Sequence, residues 1–232
     1  MYLIGVRTVG LAIPLLAVRL LASLNSRDYS AQRPGTSGVE SAPTPHSSSV
    51  VEDLNEGALV TVGKATKPYT QLTVFMDFEC PYCRDLDKSL KVLEAEADSD
   101  SLKIIFRSFP KPKHAWAMPA AIAAVCAVEQ NQRYYFELSD YFYGHQHDLT
   151  ESTVYSAARE SLAKDTMFDR VRFNRCVESG VGKKVVDADI ALGVRSGVMF
   201  TPTLFVNEKP IVGNRSLGDL RALLLSASPL QP

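Results

Sequence analysis

The sequence predicts an α/β fold, a central β-sheet covered by helices, with a helical insertion between a β-α-β half and a β-β-α half. Three observations carry that reading. An apolar, β-rich run at residues 72–78 leads straight into an amphipathic helix and then a second β-rich run. A long stretch from His114 to about Arg195 has helical pattern and no convincing strand. Two short strands and a helix close the chain.

Residues 72–78 are mostly apolar, as expected of a central strand buried on both faces. Over residues 81–97 the apolar positions Leu86, Leu90, Leu93 and Ala97 recur at helical spacing. Arg84, Asp85, Asp87, Lys88, Lys91 and Glu94 occupy the other faces, so an amphipathic helix is expected there. Residues 102–109 form a second strand closed by Pro110 and Pro112, and the β-α-β order favours a parallel pair. In the insertion, one helix holds Trp116, Ala120, Ala123, Ala124, Cys126 and Ala127, whose alanines permit close packing. Further helices are expected near 134–143, 151–162, 167–178 and 183–192, with Gly144, Gly180 and Gly182 as breaks. After Thr201-Pro202 come a strand at 203–206, a turn from Asn207 to Pro210, a short strand at 211–213 and a helix at 216–226. No internal repeat is visible.

The N-terminus bears on the compartment. Residues 1–24 are apolar apart from Arg7, Thr8 and Arg19, and residues 9–18 have the length of a signal-peptide apolar core preceded by positive charge. Export is therefore expected, to a periplasmic or other extracytoplasmic space, with this segment a cleaved signal or an N-terminal membrane anchor. No Ala-x-Ala cleavage pattern follows, and Arg19 interrupts a run already short of the ~20 apolar residues a spanning helix needs. From Asn25 to about Ser49 the composition turns to Ser, Pro, Gly and Thr. Residues 25–56 are expected to be a flexible linker, and residues 57–228 the folded domain, with its insertion at about 113–195. His46 stands in the linker without a partner at ligand spacing.

Of 232 residues, 46% are hydrophobic, which supports one core of about 150 to 200 residues. The net charge of −1, from 25 basic and 26 acidic residues, argues against a nucleic-acid surface and against strong attraction to acidic lipids.

Chemistry concentrates at the first strand-helix junction, Asp77-Phe78-Glu79-Cys80-Pro81-Tyr82-Cys83. Two cysteines three apart at a helix start share one face of the first turn, so their sulfurs can close a small ring without moving the backbone. The first, Cys80, is expected to be exposed and to face the positive end of the helix dipole and its unpaired N–H groups, both of which stabilise a thiolate. A thiolate at Cys80 attacks a substrate disulfide, or a substrate thiolate attacks the Cys80–Cys83 disulfide. Either way the intermediate is a mixed disulfide on Cys80, which Cys83 resolves.

A metal site is the competing class. Zinc and iron–sulfur centres usually need four ligands, and Cys126 and Cys176 lie far apart in sequence on expected helices, which leaves two clustered sulfurs. Haem attachment fails because Arg84 follows Cys83 where a histidine is needed. No cofactor or metal is expected; copper held by Cys80, Cys83 and one histidine is the alternative. His114, His145 and His147 read as ordinary loop histidines. A redox-inert binding module would not require both cysteines.

This order of elements resembles the DsbA-like thiol:disulfide oxidoreductases of the thioredoxin-fold superfamily, in the branch with a Cys-Pro-Tyr-Cys site. The match runs from about residue 60 to residue 225. It includes Cys80-Pro81-Tyr82-Cys83 after its strand, Ser108-Phe109-Pro110 followed by His114, the Ala-rich helix with Cys126, and Thr201-Pro202-Thr203-Leu204-Phe205-Val206. The resemblance implies a thioredoxin-like fold and a cis Thr201–Pro202 bond beside the active cysteines, presenting backbone to substrate. It also implies a redox poise tuned by Pro81 and Tyr82, and a structural Cys126–Cys176 disulfide; two free buried cysteines are the other reading of that pair. One position departs: many relatives carry a buried acid six residues before the first cysteine, where this chain has Val74. Asp77 and Glu79 are then the candidates for proton relay, Asp77 at a position often acidic in this branch, with a solvated strand-end carboxylate as the other reading of each. The implied protein is a monomeric protein-disulfide oxidase acting on reduced or misoxidised exported proteins. A membrane quinone-linked thiol oxidoreductase would recycle it, and a reductase or isomerase of the same fold is the alternative.

Overall fold

The computed structural model describes residues 47–232. The expected signal or anchor segment at 1–24, residues 25–46 of the expected linker and His46 lie outside the described residues.

The last part of the expected linker is instead helical. Helix α1 (Ser47–Asn55) forms because Val50, Val51 and Leu54 place apolar side chains on one face. Leu54 is fully buried in a small core with Phe75, Phe109, Leu192, Val198 and Phe205. The serine-rich composition just before these residues hides three apolar anchors.

A five-stranded sheet follows: β1 (Val60–Val62), β2 (Thr70–Met76), β3 (Leu102–Ser108), β4 (Thr203–Val206) and β5 (Lys209–Val212), in the order β1-β3-β2-β4-β5. Central β2 runs parallel to β3 across the crossover helix α2 (Pro81–Glu96) and antiparallel to β4. Val74 pairs with Phe106 on one side and Leu204 on the other, and every residue of β2 is buried. Leu72, Val74 and Met76 join the main core with α2, while Phe75 points into the smaller core. Strand β1, too short to register as a pattern, pairs antiparallel with β3. The chain leaves it through Gly63 at φ +91°, where a Cβ would stand 1.9 Å from the Leu102 carbonyl oxygen. Strand β5 starts two residues earlier than its sequence suggests. Pro210 belongs to it, because an edge strand needs no donor on its outer side.

The insertion contains α3 (Ala117–Val128), α4 (Arg133–Gly144), α5 (Val154–Leu162), α6 (Arg170–Ser179) and α7 (Val181–Arg195); α8 (Leu217–Ser226) ends the fold. Cys126 on α3 is bonded to Cys176 on α6, with a Cα–Cα separation of 5.6 Å. Gly180, at φ +74°, is the break between α6 and α7. Gly182 is not a break. It lies inside α7, where a Cβ would come to 2.7 Å from Cys126 Sγ and 3.2 Å from Ile122 Cγ2. Asp87, expected on an outer face of α2, is buried against the insertion, accepting from Ser139 Oγ at 3.1 Å and paired with Lys91 at 2.6 Å.

A buried ion pair fastens these parts together. Arg107 on β3 donates to Asp189 of α7 at 2.8 Å and to the carbonyls of Leu54 and Glu56 at 2.8 and 2.6 Å, closing the end of α1. The Ser108 N–H donates to the second Asp189 oxygen at 2.9 Å. Burial pushes the Asp189 carboxyl up, and Arg107 opposes that push.

Candidate redox active site

Strand β2 ends at Met76, and four residues later Cys80 begins α2 as its N-cap, with Pro81 in the first turn. Proline suits that place, since its missing N–H would have no helical partner. The Cys80 carbonyl accepts from the N–H groups of Cys83 and Arg84 at 3.1 and 3.2 Å, which closes the turn and brings both sulfurs to the same end of the helix.

The structure corrects one expectation here: Cys80 is only 4% exposed. The segment ending in the cis Thr201–Pro202 bond lies over it, and Cys80 Sγ sits 3.3 Å from the Thr201 carbonyl oxygen, to which a thiol would donate. The accessible rim belongs to Tyr82, Met199 and Phe200, at 63%, 69% and 61% exposure.

The two thiols are electrically unlike. Cys80 is lowered from its ordinary 9.0 to about 6, first by its hydrogen bond with the Cys83 thiol; the backbone N–H groups of Cys83 and Tyr82 and the Thr201 side chain also favour the thiolate, against burial. Cys83 is fully buried, and that burial pushes its thiol well above 9.0. Cys80 adds to the push, while the Asp77 N–H, donating to Cys83 Sγ at 3.4 Å, opposes it.

Asp77 is not a solvated strand-end carboxylate. Only 2% exposed, it accepts from the Glu79 and Lys111 N–H groups, each at 2.8 Å, and lies 2.6 Å from His114 Nδ1. His114, read as an ordinary loop histidine, is thus the partner of a buried acid beside the second cysteine. Its place after Ser108-Phe109-Pro110 was the one signal for it. Glu79 serves α3 instead, accepting the Trp116 N–H at 2.8 Å just before that helix begins. Lys111 reaches across to the Met199 carbonyl at 2.8 Å, linking the loop after β3 to the segment over Cys80.

Sequence reasoning also passed over Gln146. The flanking His145 and His147 are both exposed, and His145 stacks on Tyr141 at 4.3 Å between ring centroids. Gln146 between them donates to the Phe78 carbonyl at 2.8 Å and the Cys80 carbonyl at 3.1 Å. Among the described residues no three His, Cys, Asp or Glu side chains gather to hold a metal ion.

A family model described as thioredoxin matches residues 57–225, most of the chain and all of this site. The chain belongs to this thioredoxin family. Its fold is also that of DsbA-like proteins. The thiol-disulfide exchange protein alpha-DsbA2 from Wolbachia pipientis superposes with a TM-score of 0.62 at 17% identity, over 77% of this chain and 95% of that one. The catalytic domain of Proteus mirabilis ScsC gives 0.62 at 17% identity, over 77% and 94%. A periplasmic thioredoxin-like protein from Salmonella enterica serovar Typhimurium gives 0.60 at 20% identity, over 76% and 94%. Curated relatives by sequence are Na(+)/H(+) antiporters: NhaA 3 of Salinispora tropica, 32% identical over 66% of this chain and 22% of its own length, and NhaA 1 of Mycolicibacterium gilvum, 32% identical over 63% and 23%. The chain therefore spans less than a quarter of those relatives. Among the described residues no helix is long and apolar enough to cross a membrane.

Proposed function

We propose that this thioredoxin-family chain is an exported thiol:disulfide oxidoreductase that forms or exchanges disulfides in substrate proteins through the Cys80–Cys83 couple. The observation that carries this reading is the asymmetry of the two sulfurs: an acidic Cys80 beneath an exposed rim, and a deeply buried Cys83 whose proton is held tightly. In the oxidising direction a substrate thiolate attacks Cys80 Sγ of the disulfide. The Cys80–Cys83 bond breaks, Cys83 leaves with the electron pair and takes up a proton, and the substrate is held on Cys80. A second substrate thiolate attacks the substrate sulfur of that mixed disulfide, so Cys80 departs as a thiolate and the substrate leaves oxidised. The segment at Thr201 and Pro202 presents backbone to the bound substrate. Asp77, whose backbone N–H meets Cys83 Sγ and whose carboxylate is joined to the half-buried His114, is the group we assign to relay the Cys83 proton; Glu79, spent on α3, is not.

Oxidase activity is favoured over reductase or isomerase activity because a helix-start thiolate stabilises the reduced enzyme and so makes its disulfide oxidising. Substrates are reduced or misoxidised exported chains, the enzyme works as a monomer, and a membrane quinone-linked partner reoxidises it. Two experiments test this. Cys83→Ala accumulates mixed disulfides with a disulfide-bonded substrate, which the Cys80 thiolate attacks with release of the other substrate sulfur as a thiolate, whereas Cys80→Ala does not; equal trapping by both would refute the assignment. A glutathione redox titration gives a potential between about −270 mV, as for thioredoxin, and about −120 mV, as for the strongest periplasmic oxidant. A value at or below the lower figure would make the protein a reductant.

A further inference from the structure

We propose that Gln146 is a positioning residue for the redox centre, through which the helical insertion holds the Cys80 turn and favours its thiolate. This rests on the reading of Cys80 and Cys83 as the working couple. A primary amide has two N–H hydrogens, and Gln146 spends its nitrogen on two carbonyls, those of Phe78 and Cys80, which flank Glu79 in the loop between β2 and α2. Gln146 is itself held in a closed turn after α4, where the N–H groups of Asp148 and Leu149 donate to the His145 carbonyl at 3.0 and 3.3 Å and Leu149 is buried. The same loop is clamped on its apolar side, for the Phe78 ring packs against Tyr135, Phe142 and Tyr143 of α4 with centroids 5.2–5.8 Å apart. Gln146 is thus the polar half of a clamp whose apolar half is an aromatic cluster.

The electrostatic sense follows from which groups it touches. A carbonyl oxygen is the negative end of a peptide dipole, and the Cys80 carbonyl belongs to the residue whose sulfur must carry charge. An N–H donor placed on it offsets that negative end and makes the surroundings of the Cys80 sulfur more positive. Removing the donor, or replacing it by an anion, works against the thiolate. The titratable groups about the turn, Cys83, Asp77, Glu79 and His114, with Tyr135 and Tyr143 packed on Phe78 and Tyr82 and Arg84 adjoining it in the chain, are the same in every variant at position 146, so a difference between variants isolates that position.

The test is the pH titration of Cys80 thiolate absorbance in the reduced full-length protein and in Gln146→Glu and Gln146→Ala, with circular dichroism as the check on folding and a glutathione titration of each. Gln146→Glu should raise the Cys80 midpoint by about half a unit or more, a threefold change, and make the disulfide less oxidising by a similar factor. Gln146→Ala should move both in the same direction by less, because water can replace the lost donor. A folded Gln146→Glu protein with the wild-type midpoint overturns the proposal. If that variant does not fold, a folded Gln146→Ala with an unmoved midpoint overturns it, even where the melting temperature falls. A wild-type midpoint at the ordinary cysteine value would instead defeat the proposed function, so the two failures are distinguishable.

Discussion

The two cysteine pairs of this chain occupy regions built on opposite terms. Cys80 and Cys83 sit at a helix start where backbone N–H groups converge on sulfur and an apolar rim of Tyr82, Met199 and Phe200 stands open to a partner. Cys126 and Cys176 sit within helices α3 and α6, whose N–H groups are engaged in their own helices, and their bond lies under Gly182 of α7. Sulfur is common to both regions; backbone donors to a sulfur and an exposed apolar rim beside it are found in only one. Reactivity in this protein is thus a property of the helix terminus and the segment laid over it, and the same element inside a helix serves as a cross-link.

The largest effect separating the regions is on turnover. Cys80→Ser should abolish peptide oxidation and insulin reduction, whereas the Cys126→Ala, Cys176→Ala double variant should retain both. Loss of catalysis in the folded double variant would break the comparison. The double variant should lose stability instead: a loop closed across a separation of 50 residues is worth ~4 kcal/mol in the chain-entropy model, read as a lower denaturant midpoint. Wild-type stability in that variant would show that the bond stabilises little.

A smaller effect sharpens the picture of the insertion. Gly182→Ala forces a methyl to 2.7 Å from Cys126 Sγ and should cost about 1–3 kcal/mol by overpacking. Its Cys80–Cys83 potential should be unchanged, and a shifted potential would mean that strain at the cross-link reaches the redox site. The smallest effect is one of pH. The folded Cys80 thiol is depressed from 9.0 to about 6, so its contribution to stability is fully present above about 9 and is lost as pH falls through about 6. Between those values the reduced protein should gain stability with rising pH relative to reduced Cys80→Ala, measured by thermal melting. Cys83, pushed the other way, opposes this only above its ordinary value. Parallel curves for the two proteins would argue against a depressed Cys80.

How much of this was legible in the sequence depended on whether a feature is local. Strand β2, helix α2, β3 and β4 announce themselves by apolar period and by Pro110, Pro112 and Pro202, and the thioredoxin family and DsbA-like fold follow from their order. Helix α1 and strand β1 did not, because three apolar residues behind a serine run, and a three-residue strand, carry too little pattern. The site divides the same way. Cys80 and Cys83 are marked by spacing alone, but the burial of Cys80 comes from Thr201, far along the chain. Asp77 finds His114, and Gln146 finds the Cys80 carbonyl, only once the insertion folds back over the sheet. Gly182 reads as a helix break because its actual requirement, room for Cys126 Sγ, is a contact between helices.

The most direct test of the difference between the regions is residue-resolved alkylation of the mildly reduced protein across pH, followed by mass spectrometry. Cys80 should titrate alone with a midpoint near 6, Cys83 should stay unreactive through neutral pH, and Cys126 and Cys176 should remain bonded. A Cys80 midpoint at its ordinary value of 9.0, or equal labelling of Cys80 and Cys83 at neutral pH, would contradict the claim that the helix start makes one sulfur the nucleophile.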